Sequence, residues 1–295
     1  MTAPVLTSSL RQIQSQIDES LDNLLPQPDG HQAVIVEAMR YAAIGGGKRL
    51  RPFLMVETNR LFEKPGPDVL QAATALECVH VYSLIHDDLP CMDDDDLRRG
   101  KPTVHKAFDE AIAVLAGDAL LTMGFELMST LNADSKKVLT LVQGLALASG
   151  SNGMIGGQVI DITLDEADRT ESLITELQSL KTGALISYAV MSGALLAGAD
   201  DQELEVLSKF SDDLGLLFQI TDDILDVEGD AAIMGKAARK DENLGKATFV
   251  SILGLAGAKE RALQLAGRAK GRLEVFGKRA QILEQTVDYI VVRDQ

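Results

Sequence analysis

The sequence predicts an all-α protein. Three observations carry that reading. Apolar residues recur at three- and four-residue spacing through most of the chain. No stretch shows sustained two-residue alternation, and no Asn-Gly or Asp-Gly pair joins two β-branched runs. Glycine and proline clusters at 26–30, 45–47 and 64–67 separate the first periodic stretches. With 295 residues, 46% of them apolar, and no low-complexity linker or solenoid period, the chain reads as one domain over 1–295, built from ten or more helices.

The elements follow in order. Leu10 to Leu25 places Ile13, Ile17, Leu21 and Leu24 on one helical face, and residues 26–30 break it. Gln32 to Ile44 is a second helix, ended by Gly45-Gly46-Gly47. Pro52 suits the first turn of a third, which runs to about Phe62. Asp68 to Asp88 is a strongly apolar helix carrying His80, stopped by Pro90. Lys106 to Leu115, Asp118 to Leu131 and Ser135 to Ala148 read as helices, and Gly150 to Gly157 as a glycine-rich break. Glu171 to Leu180 is a short helix, and Lys181-Thr182-Gly183 opens an apolar run to Ala199. Asp201 to Val227 is a long helix, Glu228 to Gly245 a polar loop. Helices at Thr248 to Leu255, Lys259 to Phe276 and Ala280 to Arg293 complete the chain.

Composition excludes several classes. The net charge is −16, which argues against nucleic acid and anionic membrane surfaces. Nine aspartates sit in two motifs, and without them the charge would be −7, so the acidity is partly local. Cys78 and Cys91, the only cysteines, fit neither a zinc pattern nor a disulfide framework, so a reducing cytoplasm is expected. The first sixteen residues do not read as a signal peptide. The apolar run from Ala184 to Ala199 falls short of the ~20 residues of a membrane span, so none is expected.

The chemistry gathers at His86 to Thr103. There Asp87, Asp88 and Asp93 to Asp96 precede Arg98, Arg99 and Lys101. Crowded carboxylates repel unless water or a cation neutralises them, and hard oxygen ligands beside basic residues suit Mg²⁺ bridging to a phosphate. A second motif, Asp222-Asp223-Ile224-Leu225-Asp226, lies on a largely apolar helix, with Asp222 and Asp226 on one face. Carboxylates aimed into a helical core are costly unless a cation meets them. Lys48 and Arg51 follow a glycine turn whose N–H groups can face an anion. Arg98 and Arg99 flank the first motif, and Lys181, Lys236 and Lys246 lie near the second in sequence. The chain lacks a zinc motif, a nucleophile elbow and a Walker loop, and Gly45-Gly46-Gly47-Lys48 has the wrong glycine spacing for the last of these.

These motifs, in this order, resemble the trans-isoprenyl diphosphate synthase family, and in particular its bacterial farnesyl-forming branch. They comprise residues 45–52, Asp87-Asp88 with Asp93 and Arg98-Arg99-Gly100, Gly156-Gly157-Gln158 with Asp161, Lys181-Thr182-Gly183, Phe218-Gln219 and Asp222 to Asp226. The resemblance implies an isoprenoid synthase-type helical bundle around a central active-site cavity, and a homodimer. It implies that Asp87, Asp88 and Asp93 ligate metal on one wall and Asp222 with Asp226 on the other, holding roughly three Mg²⁺ ions. Arg98, Lys181 and Lys236 resemble residues that hold an allylic diphosphate. Lys48, Arg51, His80 and Arg99 resemble the site for isopentenyl diphosphate. Thr182, Gln219 and Lys246 resemble residues beside the reacting carbon and its leaving group. One departure is local: the family often has a proline shortly after the segment matching Lys246 to Thr248, where Phe249 is followed here by Val250.

The implied reaction condenses isopentenyl diphosphate with dimethylallyl and geranyl diphosphate by ionisation of the allylic C–O bond. It needs no protein nucleophile. A bulky aromatic at the position of Tyr82, with Ser83 beside it, tends in the family to close the product tunnel at fifteen carbons. Geranyl and geranylgeranyl diphosphate synthases of the same family remain alternatives. A terpene cyclase fits less well, because cation-folding pockets are usually aromatic-rich and this chain has no Trp. A non-catalytic synthase subunit fits less well because both aspartate motifs are intact.

Overall fold

The computed structural model describes residues 4–62, 65–165, 170–228 and 248–292. The fold is all-α, with more than ten helical segments among the described residues. These are α1 (Pro4–Leu24), α2 (Ala33–Ala43), α3 (Leu50–Arg60), α4 (Pro67–Asp87), α5 (Val104–Ala107), α6 (Glu110–Ser129), α7 (Ser135–Ser149), α8 (Met154–Thr163), α9 (Glu171–Gln178), α10 (Ala184–Ala197), α11 (Asp201–Glu228), α12 (Phe249–Leu273) and α13 (Gln281–Val292). Lys236, Lys246 and the expected loop from Glu228 to Gly245, beyond Glu228 itself, lie outside the described residues.

Contacts divide the chain into two compact units. One comprises Ser8–Val56 and Pro65–Val142. In it, α1 buries Ile13, Ile17 and Leu21, one face of the helix. The helix α4 is buried nearly all round and crosses α6 closely. The expected break between Leu115 and Asp118 does not occur: α6 is continuous, capped by Asp109, whose side chain accepts from Ile112 N. Gly117 is there for space rather than for a turn. A Cβ on it would lie 2.2 Å from His86 Nε2, which itself donates to the Val114 carbonyl at 3.0 Å.

The expectation of no strand pairing is corrected by a small antiparallel hairpin, β1 (Leu97–Arg98) with β2 (Lys101–Pro102). Its two-residue turn, Arg99-Gly100, has positive φ at both positions (54° and 75°). That is the backbone twist that two-residue hairpins favour. Strands of two residues are too short to show alternation.

The other unit comprises Met1–Thr7, Glu57–Lys64 and Gln143–Gln295 as far as described. Its core packs α11 (Leu207, Phe210, Leu214, Leu217) with α12 (Ala258, Leu265, Ala269, Leu273) and α13 (Leu283, Val287, Ile290), all buried. The two helices that the sequence places over α12 are both present, but they part at Gly254 (φ 67°), whose backbone is not helical, rather than after Leu255; a capping box between Thr248 and Ser251 starts the first. The glycine-rich stretch does not end at Gly157: α8 begins at Met154 and includes it. Residues Ser179–Gly183 form one π-helical turn that joins α9 to α10 without a break. That continuity corrects the reading of membrane-spanning length. Glu171–Ala197, Glu110–Ser129 and Ser135–Thr163 are each long and apolar enough to cross a membrane by length and composition. Half of the apolar window in Glu171–Ala197 is buried inside the protein, which accounts for its hydropathy as core.

Candidate active site

In the first unit the acidic loop coils back onto the end of α4 through its main chain. Asp93 N donates to Asp87 O at 2.8 Å, Asp94 N to Leu89 O at 3.1 Å and Asp95 N to Asp88 O at 3.2 Å. The side chains then divide. Asp87 and Asp93 are half-buried, whereas Asp88 is 2% exposed. Arg98, held on the hairpin, closes on Asp88 with Nε at 2.7 and 2.8 Å and Nη2 at 2.6 Å. Burial pushes the Asp88 carboxyl above its ordinary range, and the Arg98 bonds oppose that push. Asp88, expected as a metal ligand, is thus committed to Arg98 here, and the outer Nη1 edge of Arg98 is what it offers to an anion.

The glycine turn brings the second group of cations together. Arg99 lies against it so closely that a Cβ on Gly47 would meet the guanidinium carbon at 2.5 Å. Lys48 is exposed, and Arg51 Nη1 stands 3.3 Å from His80 Nε2. An arginine only donates, so His80 Nε2 is the acceptor and its ring is neutral there. Burial, then the charges of Arg51, Arg99 and Arg98, hold His80 well below its ordinary 6.5. A cavity of about 260 Å³ adjoins this turn, lined by Tyr41, Ile44, Leu84 and Asp88 together with Arg98 and Arg99. On α4, Tyr82 is 5% exposed, packs edge-on against His86 at 5.7 Å and has a buried hydroxyl with no hydrogen-bond partner. The Ser83 hydroxyl turns back to His80 O at 2.8 Å.

In the second unit the π turn displays Lys181 and Thr182. Lys181 Nζ pairs with Asp161 of α8 at 2.6 Å. Thr182 Oγ1 donates to Gln219 Oε1 at 3.0 Å, and Gln219 Nε2 donates to Asp223 Oδ1 at 2.8 Å. The other Asp223 oxygen accepts from Phe249 N at 2.7 Å, at the start of α12. The middle carboxylate of the second motif therefore ties three elements together. Asp222 is half-buried on α11, and Asp226 is 5% exposed. The sequence named Asp161 only as part of a motif, and its partnership with Lys181 rests on helix packing that spacing does not reveal.

The donor set suits a divalent cation completed by substrate. Among the described residues no three acidic, histidine or cysteine side chains are clustered to hold a metal alone. Mg²⁺ binds through one or two carboxylates plus phosphate oxygens, and half-buried Asp87 with Asp93 in one unit, and separately half-buried Asp222 in the other, are carboxylates of that kind.

Comparison with known proteins agrees with this chemistry. The polyprenyl synthetase family matches residues 32–284. Farnesyl diphosphate synthase of Escherichia coli is 42% identical, over 95% of this chain and 96% of that one. Chloroplastic geranylgeranyl pyrophosphate synthase of Capsicum annuum is 43% identical, over 94% of this chain and 76% of that one. The crystal structure of an FPP/GFPP synthase from Zymomonas mobilis superposes with a TM-score of 0.89 at 46% identity, covering 97% of this chain and 98% of that one. The chain is an enzyme, a prenyltransferase, and belongs to the polyprenyl synthetase family.

Proposed function

We propose that this enzyme is a farnesyl diphosphate synthase, adding isopentenyl diphosphate first to dimethylallyl and then to geranyl diphosphate. The observation that carries the reading is the division of labour within the aspartate motifs. Asp88 and Asp223 are buried and bonded within the protein, while Asp87, Asp93 and Asp222 stay half-buried. Asp87 and Asp93, and separately Asp222 with Asp226 nearby, would hold Mg²⁺ against the allylic diphosphate. The bound ions would draw charge onto the departing diphosphate. Arg98, braced by Asp88, and Lys181, braced by Asp161, add positive charge where that anion develops. Lys48, Arg51, neutral His80 and Arg99 receive the diphosphate of isopentenyl diphosphate, and fixing its orientation supplies much of the rate. Lys236 and Lys246 join these roles by their sequence positions. Thr182 and Gln219, already bonded to each other, are preorganised beside the reacting carbon. Water, which would quench an allylic cation, must be kept from the reacting carbon.

Buried Tyr82 supports the fifteen-carbon product, and the similarity to a geranylgeranyl synthase keeps a longer product as the second reading. A homodimer formed in the cytoplasm completes the proposal, supported by exposed Val114, Leu115 and Leu139. The test is incubation with isopentenyl diphosphate, Mg²⁺ and each of the five-, ten- and fifteen-carbon allylic diphosphates, with product chain lengths measured. Turnover of the first two starters ending at fifteen carbons is expected. Extension of the fifteen-carbon starter would replace the product assignment. Wild-type rates in Asp87→Ala or Asp222→Ala would refute the metal roles.

A further inference from the structure

We propose that Arg49 is a positioning residue: pinned by Glu77 and Asp18, it fixes the main chain from which Lys48 and Arg51 project and so sets affinity for isopentenyl diphosphate. The inference deepens the functional reading above and rests on it. The motif residues are cations that face a ligand, but Arg49, between them, faces inward. Its backbone is left-handed, with φ 51°, a conformation uncommon for a residue other than glycine. That reversal turns its side chain into the protein, where it is fully buried.

There the guanidinium spans three elements. Nη1 donates to Glu77 Oε1 of α4 at 2.7 Å. Nε and Nη2 donate to Asp18 Oδ1 of α1 at 3.0 and 2.7 Å, and Nη2 also donates to Ala43 O, the last residue of α2, at 2.6 Å. One turn earlier on α1, Gln14 Nε2 donates to Gly47 O at 3.1 Å. The glycine turn is therefore tied to α1 at two points and to α4 at one.

The tie to α4 matters most. Glu77 and His80 lie three residues apart, on one face of that helix. Glu77 holds Arg49 and His80 meets Arg51, so the helix register sets the spacing of the two arginines. Charge follows the same plan. Glu77 is 1% exposed and balances a buried cation that would otherwise stand beside Arg51 and Arg99. The ligand then meets the outer cations alone.

The test is a split between substrates. In Glu77→Gln the amide oxygen still accepts one bond, but the charge is gone. Its KM for isopentenyl diphosphate is expected to rise ~10-fold or more, with kcat and the KM for geranyl diphosphate within ~2-fold of wild type. Arg49→Lys keeps the charge without the planar fork, and is expected to retain more affinity than Arg49→Met. Gln14→Ala cuts the other tie and reports the same split if the buried variants fail to fold, as judged by circular dichroism. An equal loss for both substrates, or an unchanged KM in folded Glu77→Gln and Gln14→Ala, would overturn the proposal while leaving the functional reading intact. Absence of turnover of isopentenyl diphosphate by the wild-type enzyme would instead overturn the functional reading and this inference with it.

Discussion

Replacing Gly157 with alanine tests how tightly Lys181 on the π turn is placed. A Cβ at Gly157 would lie 2.2 Å from Lys181 N, 2.6 Å from its Cα and 2.7 Å from its Cβ. Ordinary contact begins at 3.4 Å, so the two segments must separate by 3.4 − 2.2 = 1.2 Å at the closest atom. Backbone forms most of the obstacle, so no side-chain rotation relieves it. Alanine in a helix interior is ordinarily favoured over glycine by about 1 kcal/mol. Overpacking costs about 1–3 kcal/mol, leaving a net destabilisation of up to about 2 kcal/mol. The kinetic effect is expected to be larger. Misplacement of a binding group by ~1 Å costs about 10²-fold in rate, because the alignment of reactants is lost. Urea unfolding measures the first effect, and steady-state kcat with geranyl diphosphate the second. Gly267→Ala is the control, since nothing lies within 4 Å of its Cβ position inside α12. It is expected to gain up to about 1 kcal/mol and keep full activity. Wild-type kcat in Gly157→Ala would show that the position of Lys181 is not set by this contact.

Three further outcomes are expected. Tyr82→Ala is expected to lengthen the product, whereas Tyr82→Phe, which removes only a buried hydroxyl without a partner, keeps product length and stability within about 1 kcal/mol. Chain-length analysis and thermal melting separate the two variants. Asp223→Asn retains an acceptor for only one of Gln219 and Phe249 N, and is expected to cost about 1–3 kcal/mol in urea unfolding and to lower kcat by loosening Gln219. His80 is depressed in the folded protein, so the unfolded chain binds its proton first as pH falls through 6.5. Its contribution to stability is complete above that pH and declines by about 1.4 kcal/mol per pH unit below it, until the folded pKa is reached. A stability profile of His80→Gln that keeps the wild-type slope below pH 6.5 would refute this.

Much of the fold was legible because helical periodicity reports burial directly, as at Ile13, Ile17 and Leu21. The misreadings cluster at glycines. Gly117 and Gly157 read as breaks, yet both sit inside helices where a neighbouring His86 or Lys181 leaves no room for a side chain. A glycine that bends the chain and one that admits a neighbour look alike in one dimension. Arg99-Gly100 was visible in the sequence, but its role as a hairpin turn depends on strands too short to signal themselves. Motif spacing singled out the charged candidates for the proposed site. It did not tell Asp87 from Asp88, because whether a carboxylate meets ligand or Arg98 is decided by a hairpin ten residues on. Arg49 was likewise indistinguishable from Lys48 and Arg51, since only its positive φ turns it inward.

The acidic loop after α4 is shaped by main-chain bonds from Asp93, Asp94 and Asp95 back to residues 87–89. Each bond links positions a set number of residues apart, and none of the three uses a carboxylate. Shape and charge are therefore inherited separately. Substitutions at Asp94, Asp95 or Asp96 can retune the local field while the loop keeps its path. Inserting or deleting a single residue between Leu89 and Asp93 would put all three bonds out of step and carry Asp93 away from Asp87. Asp93, whose carboxylate the proposed site uses, and Asp94, with φ 48°, restrict composition at two positions, but elsewhere in such a loop a change of side chain is expected to cost less than a change of length.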